Sequence, residues 1–264
     1  MQKELINRVA RLGILFWIIK IFSTTVGETA ADYISDDLNL GLANTAILMG
    51  VITVIVAFWN FKQKKYFAPS YWSLIVMMSI EGTLITDILV DVAGVSLLAL
   101  DVIFAVAMVL VFFLWYRKER TLSIHAINND TRERFYWIIV LTTFALGTGV
   151  GDTVSEYLNV GYLYSLIIFG SVFILAGILY YAKIINEVLA FWIAFIVTRP
   201  IGASLGDLFI QDPKDGGLGI STASINIIFF IVIILSVVYI TVSMRKENTR
   251  VVSSDGREIR NHTE

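Results

Sequence analysis

The sequence predicts an all-α polytopic membrane protein: eight transmembrane helices, arranged as four tandem two-helix repeats in one orientation. Composition, the length of the apolar runs and a fourfold motif point to it. Of 264 residues, 57% are hydrophobic and only 16% charged, whereas an average soluble domain carries roughly 25% charged residues. Mean hydropathy is +0.76. The apolar residues gather in runs close to the roughly 20 residues that cross a bilayer core, not in amphipathic stripes.

In chain order the spans are read at 12–34, 41–61, 70–91, 95–116, 135–158, 161–182, 188–210 and 219–243. The even-numbered spans are almost purely apolar, as in 102–114 and 225–240. The odd-numbered spans start apolar and then carry Gly, Thr, Ser, Asp and Glu. An aromatic–Trp pair opens each odd span, with the tryptophans at Trp17, Trp72, Trp137 and Trp192. Ten residues after each stands Gly27, Gly82, Gly147 or Gly202, and fifteen after it Asp32, Asp87, Asp152 or Asp207. Nineteen after it come Asp36, Asp91, Glu156 and Gln211. The motif [FY]-W-x9-G-x4-D-x3-[DEQ] thus recurs four times without a gap. Repetition of this kind is the mark of duplicated structural units. Units are assigned to 11–66, 67–121, 132–186 and 187–243, within one membrane domain, and 244–264 is expected to be a disordered cytoplasmic tail.

Basic residues decide the expected orientation. Lys62, Lys64, Lys65, Arg117, Lys118, Arg120, Arg132, Arg134 and Lys183 fall on the side shared with both termini, while Lys214 is the single basic residue opposite. The positive-inside rule then predicts cytoplasmic termini. The recurring tryptophans are expected to be interface anchors at headgroup level. No cleavable signal peptide is read at the N-terminus.

The repeated aspartates lie roughly 22 Å along an ideal helix from their tryptophans, inside the bilayer. Facing lipid there costs several kcal/mol, roughly 2.5–3.5 on insertion scales. The odd helices are therefore expected to surround a common axis, with the even helices as a lipid-facing shell. The repeated glycines are expected to let helix backbones approach closely. Thr24, Glu28, Asp32 and Asp36 recur at i, i+4 and share a face, as do Thr148, Asp152 and Glu156. Lys20 and Arg199 also lie within spans, and one or the other is expected to pair with Glu28, Glu81 or Asp87. Pro200 predicts a kink or unwinding of the seventh span near 198–202. Asp101 and Asn226 are read as helix–helix hydrogen-bonding residues.

The Trp-led units, with the segments K-I-F-S-T-T-V-G-E-T-A-A-D-Y (20–33) and R-P-I-G-A-S-L-G-D (199–207), resemble a bacterial membrane family built on a repeat known as domain of unknown function 347. The resemblance implies two transmembrane segments per repeat, usually in four copies, and a bacterial or archaeal plasma (inner) membrane. It implies no activity.

Function is therefore read from the residues. Oxygen ligands without cysteine, and with histidine only in polar stretches, point to a hard cation: Mn²⁺, Mg²⁺, Ca²⁺, Na⁺ or a proton. The expected function is a transporter, an exporter among the options, whose ion site uses Asp32, Asp87, Asp152 and Asp207, with Glu28, Glu156, Thr24, Thr148, Arg199 and Lys20. The four aspartates are its tentative metal ligands. A channel with an aspartate ring and a non-transporting scaffold or sensor are the alternatives. No enzyme chemistry, cofactor or nucleic-acid partner is expected, and the lipid bilayer is the expected surrounding. A homo-oligomer is left open.

Overall fold

The computed structural model describes the backbone of residues 7–261 and the side chains of residues 7–244 and Lys246. Its α-helices are α1 (Ile14–Asp32), α2 (Leu42–Phe61), α3 (Ala68–Asp87), α4 (Leu97–Glu119), α5 (Asp130–Asp152), α6 (Tyr162–Tyr181), α7 (Glu187–Ile210) and α8 (Thr222–Asn261). All eight contain a stretch long and apolar enough to cross a membrane. Three begin with an asparagine or serine whose side chain accepts a hydrogen bond from the first turn: Ser96 before α4, Asn129 before α5 and Asn186 before α7. The apolar part of α8 ends at Met244, but its backbone stays helical as far as Asn261. The segment expected to be a disordered tail is thus helical to that point, and Gly256 does not end it. Residues 262–264 lie outside the described residues.

The odd helices form a closed ring in the order α1, α3, α5, α7 and back to α1, and each even helix packs outside against the next odd one. Thus α2 lies on α3, α4 on α5, α6 on α7, and α8 closes the circle on α1. Between 56 and 67% of residues in the odd spans are buried, against 6–22% in the even spans. Axial and lipid-facing roles therefore fall as the polarity of the two helix types demands.

One contact repeats at every step of the ring. Seven residues after the four tryptophans stand Thr24, Ser79, Phe144 and Arg199. A Cβ on Gly27 would collide with Ser79, on Gly82 with Phe144, on Gly147 with Arg199, and on Gly202 with Thr24. Each repeat's glycine is the seat for the next repeat's residue, so the expected helix-packing role holds at all four interfaces.

The tryptophans depart from expectation. Trp72, Trp137 and Trp192 are only 1, 2 and 5% exposed, and Trp17 is half-buried. They point inward, not to the headgroups. The aromatic residue preceding each one packs on the tryptophan of the next repeat: Phe16 on Trp72, Tyr71 on Trp137, Tyr136 on Trp192 and Phe191 on Trp17, at centroid distances of 5.4–6.3 Å. Burying a large ring in this collar outweighs its interfacial preference. Two indole N–H groups still find acceptors, Trp72 on the Tyr66 hydroxyl and Trp192 on the Leu122 carbonyl. The Tyr71 and Tyr136 hydroxyls meet at 2.5 Å in the middle of the collar.

Helix α7 is not unwound at Pro200: its helical backbone runs through the proline. Proline removes one backbone donor, but α5 and α1 hold the segment through Gly147 and Gly202, and the Thr198 hydroxyl donates to the Phe195 carbonyl. Membrane prolines are tolerated where neighbouring helices and hydroxyls support the backbone in this way. The irregular backbone lies elsewhere: α1, α3 and α5 each continue past their aspartate into a π-helical turn, at Tyr33–Asp37, Ile88–Val92 and Thr153–Tyr157. Turns of this type are frequent at functional sites.

Candidate functional site

The aspartates sit at the far end of the ring from the collar and line a cavity of about 250 Å³. Its mouth carries the exposed Asp36, Asp91 and Glu156, with the Tyr162 hydroxyl donating to Glu156 at 3.0 Å. Deeper stand Asp32, Asp87, Asp152 and Asp207, and Glu28 is part of the same wall. None of the four aspartate side chains has a hydrogen-bonded or ion-paired partner among the described residues. Asp207 is only 4% exposed and has no such partner.

The carboxylates do not form an even ring of four. One oxygen each from Glu28, Asp152 and Asp207 lie within 4.8 Å of one another, the only such acidic trio among the described residues. The reason is the fourfold mismatch in sequence: Glu28 occupies, one turn below the aspartates, the place held by Thr83, Thr148 and Ala203 in the other repeats. Gly206 of α7 lets the Glu28 stem approach, since a Cβ there would lie 3.3 Å from that of Glu28. Asp32 and Asp87, expected as equal metal ligands, line the cavity without joining the trio. Carboxylates held this close repel one another, and a bound cation or protons would relieve that repulsion.

The floor is Arg199, which is completely buried. Its Nη2 donates to Glu28 Oε2 at 2.5 Å, to the Thr83 hydroxyl at 2.5 Å and to the Thr148 hydroxyl at 2.7 Å. Its Nη1 donates to the Thr24 carbonyl at 3.1 Å. The expected pairing of Arg199 with Glu28 is therefore present, and Thr148 serves the guanidinium. Thr24 contributes its backbone oxygen, while its hydroxyl donates to backbone carbonyls, the Thr198 carbonyl among them at 2.9 Å. Neither threonine lines the cavity, as had been expected of them.

Beneath Arg199 lies Lys20, fully buried and without a carboxylate partner among the described residues. Its Nζ donates to the Thr198 hydroxyl at 3.2 Å and sits 4.1 and 4.2 Å from the ring centroids of Phe144 and Phe195. Of the two cations read as candidates for an ion pair, Arg199 has it, and Lys20 instead faces two aromatic rings, which attract a cation through their quadrupoles. Glu81, named as another partner for these cations, lies off the axis beside Gly50 of α2. Below these residues the collar fills the axis.

The four segments 15–66, 70–121, 135–184 and 190–246 each match the family described as Repeat of Unknown Function (DUF347). The chain belongs to that family. Each DUF347 repeat takes in one odd and one even helix, so the family unit is one axial helix plus one outer helix. No curated protein and no solved structure matches the chain.

Two features of this DUF347 protein were hard to see in the sequence. Thr83, an acceptor for Arg199, stood out only as one of several hydroxyls on its helix. The π turns had a usable signal: Asn39, Gly94 and Asn159 follow them at φ of 53, 69 and 54°, the residue types that commonly close a helix in the left-handed region. Asp101 and Asn226 behave as expected. Asp101 accepts from Thr153 across α4–α5 at 2.7 Å, and Asn226 makes two hydrogen bonds with Thr29 across α8–α1.

Proposed function

We propose that this protein is a membrane transporter of a small hard cation, with a divalent metal as the best fit. The observation that carries the reading is the trio Glu28, Asp152 and Asp207, whose oxygens lie within 4.8 Å of one another inside an acidic cavity. Around a hard cation at about 2.3–2.6 Å, neighbouring oxygen ligands stand roughly 3.3–4.5 Å apart, so a small inward shift would bring all three oxygens to ligand distance, with second carboxylate oxygens or water filling the rest of the shell. Three carboxylates also match a dication better than a monovalent ion. Asp32 and Asp87 at the same depth, and the exposed Asp36, Asp91 and Glu156 at the mouth, would draw cations in.

The blocked axis favours a carrier over a channel. Arg199, Lys20, Phe144, Phe195, Tyr71 and Tyr136 are all fully buried between the cavity and the collar end. A cation entering from the aspartate side meets the Arg199 guanidinium, then the Lys20 side chain among packed rings. With the termini in the cytoplasm of a plasma membrane, as the basic residues argue, the cavity faces outward and this conformation is the outward-open one.

Flux in proteoliposomes tests the reading. Wild-type protein should move Mn²⁺, Mg²⁺ or Ca²⁺, and Asp152→Asn and Asp207→Asn should each abolish that flux while eluting as folded protein. Ion-selective conductance without saturation would replace the carrier with the aspartate-ring channel. Absence of flux for every ion, sodium and protons included, would leave a scaffold or sensor.

A further inference from the structure

Glu28 has two claims on it. Its carboxylate belongs to the trio with Asp152 and Asp207, and the same group holds the Arg199 guanidinium at 2.5 Å. We propose that Arg199 is a tethered competitor of the transported cation: it occupies Glu28 when the site is empty, and the cation binds by taking Glu28 from it. This rests on the cation-site reading above and adds its regulation.

Hydrogen counting makes the exchange feasible. Arg199 Nη2 carries two hydrogens and faces three acceptors, namely Glu28, Thr83 and Thr148. One acceptor is surplus. If Glu28 swings to a cation, Thr83 and Thr148 still satisfy both hydrogens, and Nη1 keeps the Thr24 carbonyl. The exchange therefore strands neither Nη2 hydrogen, Nε has no partner before it or after it, and the arginine stem remains locked against Gly147. Glu28 in turn moves from a single positive neighbour to an ion shared with two other carboxylates. Asp207, buried on the cavity wall with no hydrogen-bonded or ion-paired partner among the described residues, independently points to a ligand site there.

The exchange also changes how the helices are tied. The Arg199–Glu28 pair ties α7 to α1 where the two helices pack most closely, at Gly202 against Thr24. A cation shared by Glu28, Asp152 and Asp207 replaces that direct tie with one that joins α1, α5 and α7 through the ion.

The test is Mn²⁺ binding in detergent, followed by loss of the free-ion paramagnetic signal. Arg199→Gln should bind Mn²⁺ about tenfold or more tightly than wild type, because the competitor is gone. Adding Glu28→Gln to it should remove the gain. Unchanged or weaker binding by Arg199→Gln, with binding still lost in Asp207→Asn, would overturn this inference and leave the cation site standing. If Asp207→Asn and Glu28→Gln bind like wild type, the site itself is wrong. A second measurement needs no folded glutamine variant: in wild-type protein labelled with ¹⁵N-arginine, the Arg199 guanidinium resonance, assigned through Arg199→Lys, should shift on Mg²⁺ saturation. A resonance that stays in place under saturating Mg²⁺ also refutes the exchange.

Discussion

Gly82→Ala tests the packing rule on which the ring depends. The new Cβ would stand 2.7 Å from Phe144 Cβ, 3.0 Å from the Phe144 carbonyl carbon and 3.1 Å from the Ala145 nitrogen. Carbon atoms rest at about 3.5–4.0 Å, so α3 and α5 must separate by roughly 1 Å or distort. Two of those three contacts are backbone, which cannot rotate aside. Overpacking of this kind costs about 1–3 kcal/mol. The matched control is Gly170→Ala in α6, where nothing lies within 4 Å of the added methyl. Both variants gain the helix propensity of alanine, about 0.8–1.0 kcal/mol over glycine. Their difference therefore isolates the clash. At roughly 2–4 °C per kcal/mol for a chain of comparable size, Gly82→Ala should melt several degrees below Gly170→Ala in detergent, read by tryptophan fluorescence. Equal melting temperatures would mean that the glycine is not the contact point, and the cyclic packing scheme would fall with it.

Further outcomes follow from the collar and the outer helices. Tyr71→Phe or Tyr136→Phe alone strands one buried hydroxyl and should destabilise by about 1–3 kcal/mol, whereas the double variant should be nearly neutral, a double-mutant cycle that thermal melts can measure. Trp137→Ala should cost about 3–5 kcal/mol as a buried ring, while Trp59→Ala, at 40% exposure on α2, should cost clearly less in the same assay. Asn226→Ala breaks both hydrogen bonds to Thr29. At about 0.6 kcal/mol for an average hydrogen bond between membrane helices, it should lower the melting temperature only slightly and leave Mn²⁺ binding intact.

How much of this was legible follows from the range of the forces involved. Helix number, repeat boundaries and the division into axial and outer helices depend on hydropathy and on polar spacing along one helix, and both are printed locally. The seating of Gly27, Gly82, Gly147 and Gly202 was legible for the same reason, although which residue each one seats was not. The tryptophans misled because interfacial preference and axial burial both favour an aromatic at a helix start, and only the ring of neighbours chooses between them. Which of the two buried cations would take an acid was likewise not printed locally: Arg199 reaches Glu28, and two phenylalanine faces from α5 and α7 reach Lys20.

By itself the sequence determined that this chain crosses a membrane in four like units and must hide its acids on a common axis, because no other place in hydrocarbon tolerates them. The tertiary structure decided which acids meet. Glu28 is the one repeat position that replaces hydroxyl or methyl with carboxylate, and α7 carries the one arginine that reaches across the ring to it. That encounter joins residues 171 positions apart, and only the closing of the ring brings them within bonding distance.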